Sequence, residues 1–139
     1  MEPIEVIYSN YAILTGYRSG NSVYANKKAN HSLHNELKAE GYEIERSRGY
    51  YVHKKTGERV YEPGFIIYDI PLKKAIEFGK KYKQESIFYK VGGNAALYYT
   101  EEPNIGKKMV SFNNMVIGHS ATKEQFYTKP ATGQPFAFK

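Results

Sequence analysis

The chain has no cysteine and no tryptophan. Without cysteine there is no disulfide, no thiolate zinc site and no cysteine nucleophile. No apolar run approaches the roughly 18 to 20 residues that span a bilayer, so no membrane association is expected. The opening MEPIEVIYSN carries acidic residues and no basic stretch, and does not read as a secretory signal. The expected setting is therefore the cytoplasm. Familiar catalytic signatures are missing too. Gly16 and Gly20 lack the Gly-Lys-Ser/Thr ending of a phosphate loop, and there is no HExxH, no GxSxG and no dinucleotide fingerprint. His31 and His34 stand i,i+3, but no third ligand follows at a familiar spacing, so neither metal nor cofactor is expected. Glu101 and Glu102 are adjacent acids before a proline, and on an extended chain such neighbours point apart.

What the chain does have is positive charge and tyrosine. Its 139 residues carry a net charge of +6, with a pI near 9.3, 14 Tyr and 7 Phe. The length suits a single domain. A basic surface permits a polyanionic or acidic partner. Tyrosine suits half-buried strands, and it also stacks on bases or fills protein interfaces.

The apolar run at Tyr11 to Tyr17 predicts a strand ending at Gly16, with Arg18 just beyond it. Residues 4 to 8 suggest a short strand before it. Ser19-Gly20-Asn21-Ser22 is turn chemistry, with Asn21 or Ser22 a helix cap. A helix is predicted from Val23 to Ala39, stopping at Gly41. At about 100° per residue, Val23, Asn26, Asn30, Leu33 and Leu37 share one face. Two inward-facing amides must either tie down a neighbouring loop or line a pocket. Strands at 41–52 and 60–68 form a hairpin around Thr56-Gly57. Pro63 in its second arm demands an edge, a bulge or a strand start. Pro71 opens a second helix at its first position, with Leu72, Ala75, Ile76, Gly79 and Tyr82 inward and Lys73, Lys74, Lys80, Lys81 and Lys83 mostly outward. A hairpin at 86–100 turns at Gly92-Gly93-Asn94. Beyond it, 108–112 and 115–118 suggest another hairpin around Asn113-Asn114. A helical turn is expected through Tyr127, and a last strand at 136–138. The fold class is α+β: a largely antiparallel sheet with two helices packed on one face.

Five polar residues fall where elements begin or end: Arg18, Asn26, Asn30, Glu62 and Gln84. Such positions line clefts in mixed folds, or form a buried network that fixes packing. If the set is catalytic, Glu62 is the base and Arg18 the anion clamp. Amides with one acid and one guanidinium suit ligand recognition better than bond breaking.

The segments ILTGYR, NKKANHSLHNELKAEGY, GYY, EPGFIIYDIPL and FGKKYKQESIFY, in that order, resemble an uncharacterised family of short bacterial and bacteriophage proteins, a domain of unknown function. The match covers residues 11 to 100 and leaves a C-terminal extension from about 103 to 139. Gly64 departs from the pattern, where a serine is expected. The resemblance implies that Arg18, Asn30, Glu62 and Gln84 are signature positions, and it implies a phage or mobile-element setting without supplying an activity. The function expected on this basis is a small non-enzymatic binding protein that contacts nucleic acid through Lys73, Lys74, Lys80, Lys81 and Lys83. One alternative is a protein-directed inhibitor of a host or defence enzyme. The other is a small-ligand, nucleotide or hydrolytic site at Arg18, Asn30, Glu62 and Gln84.

Overall fold

The structure is a computed structural model that describes residues 8–53 and 55–139. The strand suggested at residues 4 to 8 lies almost wholly outside the described residues. Within them, the chain runs β1 (Tyr11–Leu14), α1 (Val23–Ala39), β2 (Glu43–Val52), β3 (Arg59–Tyr68), α2 (Leu72–Lys81), β4 (Ser86–Val91), β5 (Asn94–Tyr99), β6 (Lys108–Phe112), β7 (Met115–Ile117), a short 3-10 turn (His119–Lys123), β8 (Phe126–Pro130) and β9 (Phe136–Phe138). All nine strands join one antiparallel sheet in the order β6-β5-β4-β1-β3-β2-β8-β9-β7. The fold is α+β, with a mainly antiparallel sheet and two main helices.

β1 is short, yet it is the middle of the sheet. Tyr11 to Leu14 pairs with Tyr68 to Phe65 on one side and, over Tyr11 to Ile13, with Lys90 to Phe88 on the other. Alternation then sorts its side chains. Ala12 and Leu14 join Leu33, Leu37, Phe65, Ile67, Ala75 and Phe78 in a core beneath the helices. Tyr11 and Ile13 point the other way, toward Ile66, Phe88 and Phe136.

α1 forms where the spacing places it. Ser22 Oγ accepts from Ala25 N–H at 3.1 Å, and Gly41 leaves the helix at φ 85°. Asn26, Asn30, Leu33 and Leu37 are its buried face, whereas Val23 is 65% exposed. Pro71 stands one place before the first helical residue of α2, at the cap. Gly79 admits the sheet against that helix, because a methyl there would lie 2.7 Å from Thr100 Cγ2 and 2.8 Å from Ile87 Cγ2.

Two expectations fail near the C-terminus. No hairpin forms around Asn113-Asn114. β6 pairs with β5 and β7 with β9, so these two strands hold opposite edges of the sheet. Only two residues join them, a reach of about 10 Å. The sheet must therefore curl until its edges meet. The Asn113 and Asn114 N–H groups donate to the Lys139 carbonyl at 3.0 and 2.9 Å, which fixes the corner. The helical turn ends at Lys123, and Phe126 to Pro130 is extended instead, paired with β2.

Candidate functional site

The curl leaves a hollow on the face away from the helices, a cavity of about 410 Å³. Its wall is set by register. On β3 the residues facing it are Glu62 and Gly64, and on β2 they are Ser47 and Gly49. Phe126 and Thr128 come from β8, Ser86 and Phe88 from β4, and Leu97 from β5. Ile13, Phe88, Phe112, Phe136 and Phe138 make an aromatic and aliphatic wall, with Phe88 and Phe138 ring centres 4.8 Å apart. Polar groups are few, which is the usual character of a small-molecule site.

Glu62 lies at the cavity, across the strand pair from Gly49. It is half-buried, and its carboxylate has no hydrogen-bond or ion-pair partner among the described residues. Burial pushes its pKa above the ordinary value of 4.5. The Tyr51 phenol is held up by its own burial and by the charge of Glu62. A largely apolar hollow with a half-buried carboxyl at Glu62 and an exposed one at Glu85 is suited to a cationic guest that carries an apolar body. The Ser47 hydroxyl is enclosed in this wall with no hydrogen-bond partner among the described residues.

The five sequence candidates separate into two groups. Glu62 and Gln84 line the cavity. Asn26 and Asn30 sit behind it and hold backbone. Asn30 Oδ1 accepts from Gly16 N–H at 2.5 Å, and its Nδ2 donates to the Pro63 carbonyl at 2.9 Å. Asn26 Oδ1 accepts from Arg18 N–H at 2.9 Å, and its Nδ2 donates to the Arg18 carbonyl at 3.2 Å. The Arg18 side chain is exposed and is not part of the cavity wall. Gln84 does both jobs: its Nε2 donates to the Tyr17 carbonyl at 3.1 Å and to that of Tyr82 at 3.2 Å.

Pro63 shows why this corner is built so. β3 is an interior strand, but β1 flanks it only from Phe65 to Tyr68. At Pro63 that side of β3 is open, which is the local edge a proline requires. The carbonyl exposed there is taken up by Thr15 Oγ1 at 2.7 Å and by Asn30.

The lysines of α2 lie elsewhere. Lys74 pairs with Glu40 at 3.0 Å and with Glu77 at 3.7 Å, and Lys81 pairs with Glu36. Two of the five thus bridge α2 to α1, while Lys73, Lys80 and Lys83 are exposed.

Among the residues that sequence reading missed are Ser47, Gly49, Tyr51 and Phe126. Tyr51 and Gly49 stood in a strand read as aromatic surface. Phe126 was assigned to a helical turn, which hides the alternation that points Phe126 and Thr128 into the cavity.

The fold and cavity define an α+β protein with a hollow of small-molecule size and a half-buried acid at its wall. The S-adenosylmethionine lyase family model matches residues 12–139, and the chain belongs to that family. No curated protein is a significant match to it. The family assignment overturns two expectations. The resemblance to a domain of unknown function gives way to a family with a named activity. That family is enzymatic, so a non-enzymatic protein contacting nucleic acid, or one inhibiting a host or defence enzyme, is not the reading the chain supports. The tyrosines and basic charge that suggested it have local explanations. Tyr50 stacks on Tyr127 at 4.7 Å, Arg48 and Arg59 lie over tyrosine rings, and Lys74 and Lys81 are paired. Among the described residues no helix is long and apolar enough to cross a membrane.

Proposed function

We infer that the chain cleaves S-adenosylmethionine at a carbon–sulfur bond of its sulfonium, in the cavity on the concave face of the sheet. The observation that carries this reading is Glu62: an unpaired, half-buried carboxyl at a largely apolar cavity, in a chain of the lyase family. S-adenosylmethionine brings two cationic groups, an ammonium and a sulfonium, and a nucleoside whose flat base can stack on aromatic rings. Glu62 takes the ammonium, and the aromatic wall takes the nucleoside.

A lyase breaks its bond without water. In S-adenosylmethionine the amino-acid carboxylate is itself a nucleophile and can close a five-membered ring on the γ-carbon. The new C–O bond forms as the C–S bond breaks, and the bonding pair leaves on sulfur as a neutral thioether. No proton need move. A negative and a positive charge disappear together in this step, so a water-poor, apolar cavity favours the transition state over the separated charges. The Glu62–ammonium pair survives the step unchanged, so it serves to orient the chain carrying the nucleophile.

The test is incubation with S-adenosylmethionine in water enriched in heavy oxygen. A nucleoside thioether should appear, with no label on the γ-oxygen of the amino-acid product, and Glu62→Gln should lower turnover sharply while remaining folded. No thioether above the enzyme-free rate, or a labelled γ-oxygen, would sink the reading.

A further inference from the structure

Phe126 is a large aromatic side chain left 49% exposed at the cavity wall. Its place is unusual. It is the cross-strand partner of Tyr51, but its ring leans along the sheet over Gly49. A methyl built at Gly49 would touch Phe126 Cζ at 3.5 Å and Cε2 at 3.8 Å. Gly49 is in turn the cross-strand partner of Glu62. The ring tip therefore occupies the space that a side chain at position 49 would fill, at the position across the strand pair from Glu62. Facing positions of this kind lie about 5 Å apart.

An aromatic face beside an unpaired carboxylate is a place for positive charge. The faces of the ring carry the negative lobes of its quadrupole, and partial shielding from water strengthens their attraction for a cation. Three carbons separate the ammonium of S-adenosylmethionine from its sulfonium, so its two cationic centres can reach neighbouring positions of one wall. We propose that Phe126, leaning across Gly49, is the sulfonium-recognition residue of this site and distinguishes the charged sulfonium from a neutral thioether. This assignment rests on the lyase reading of the cavity. The glycine is part of the device, because a bulky side chain at 49 would push the ring off its place.

The charge logic also fixes which kinetic constant moves. Positive charge on sulfur fades as the thioether leaves, so the ring's attraction is stronger in the bound substrate than in the transition state. Loss of the ring should raise KM and leave kcat unchanged or slightly higher.

The experiment compares the wild type with Phe126→Leu, Phe126→Trp and Gly49→Val. Two unreactive ligands are titrated: S-adenosylhomocysteine, whose sulfur is neutral, and the analogue in which a protonated aminomethine replaces the sulfonium. Turnover of S-adenosylmethionine is measured alongside. For Phe126→Leu the Kd of the cationic analogue should rise about tenfold and that of S-adenosylhomocysteine by less than about twofold, with the change in KM following the cationic analogue. Phe126→Trp should retain the preference, and Gly49→Val should lose it with Phe126 still present. Equal weakening of both ligands, or no change in either, with wild-type turnover intact, would overturn the role of Phe126 alone and leave the lyase reading standing. A wild type that binds neither ligand and turns nothing over would overturn both.

Discussion

Asn30 on α1 and Pro63 on β3, 33 residues apart in sequence, are joined by a hydrogen bond of 2.9 Å from the amide nitrogen to the proline carbonyl. The other end of the same amide accepts from Gly16 N–H. One side chain thus satisfies a carbonyl left open by the end of β1 and an amide left open by the exit from β1. Replacing it with alanine orphans a buried N–H and removes one of two donors to Pro63. Asn30→Ala should lower unfolding stability by about 2 to 3 kcal/mol, read as a shift in the urea midpoint at constant slope. A variant as stable as the wild type would show that water replaces the amide at no cost.

The same crossing depends on Gly16. A methyl at that position would lie 2.8 Å from the Ala29 carbonyl carbon and 2.9 Å from Asn30 N, both backbone atoms of α1. Neither can swing aside as a side-chain tip can. Gly16→Ala should therefore cost about 1 to 3 kcal/mol by pushing helix and strand exit apart. Thermal unfolding is the check, and an unchanged Tm would mean the crossing is looser than its distances indicate.

How far this corner was legible from sequence follows from the physics of each signal. α1 declared itself fully: Ser22, the 3.6-residue stripe and Gly41 are local, and local signals survive into the fold. The amides at 26 and 30 were visible as inward-facing, but whether they met backbone or ligand depended on which strand ends lay opposite, a long-range fact. Glu62 stood out because it preceded a proline in an apolar strand, and it does reach the cavity. Asn113-Asn114 misled because an amide pair between two short strands is ordinary hairpin chemistry. Here the backbone N–H groups of both residues donate to the Lys139 carbonyl, and the flanking strands go to opposite sheet edges. With a helical turn expected through Tyr127, the start of β8 is hidden, and with it the curl of the sheet, the cavity and the place of Phe126.

Tyr11 offers a test of the closed side of the curl. Its ring packs on Tyr68, Phe88 and Phe136, and the residue is fully buried. Its hydroxyl has no hydrogen-bond partner among the described residues, and burial holds its pKa far above the usual phenol range. A desolvated hydroxyl without a partner costs free energy that its ring does not recover. Lys90 Nζ lies 5.6 Å from the ring centre, an attraction that phenylalanine keeps. Tyr11→Phe should raise stability by about 1 kcal/mol. A loss of stability in denaturant titrations would mean that the hydroxyl is hydrogen-bonded in solution.

Glu62 links stability to activity through pH. Burial raises its folded pKa above the ordinary value of 4.5, so the folded protein holds this proton more tightly than the unfolded chain. The proton-linked stability is full below 4.5, is lost as pH rises through the folded pKa, and stays lost above it. Glu62→Gln has nothing to ionise. Its stability relative to the wild type should therefore climb across that window and level off above it. Activity should run in the opposite sense, because only the ionised carboxylate pairs with the substrate ammonium. In the wild type kcat/KM should rise with pH along the same ionisation, with a midpoint above that of an ordinary glutamate, and a bound cation should pull the midpoint down in the kcat profile. Urea unfolding and initial rates across pH 4 to 8 (about four units, wide enough to contain a raised carboxyl pKa) measure both halves together. If the acidic limb of the rate profile belongs to another group, residual Glu62→Gln activity will keep it. If Glu62 instead holds the fold together through its charge, the variant will be the less stable protein at neutral pH, and its loss of turnover will track its loss of folded molecules.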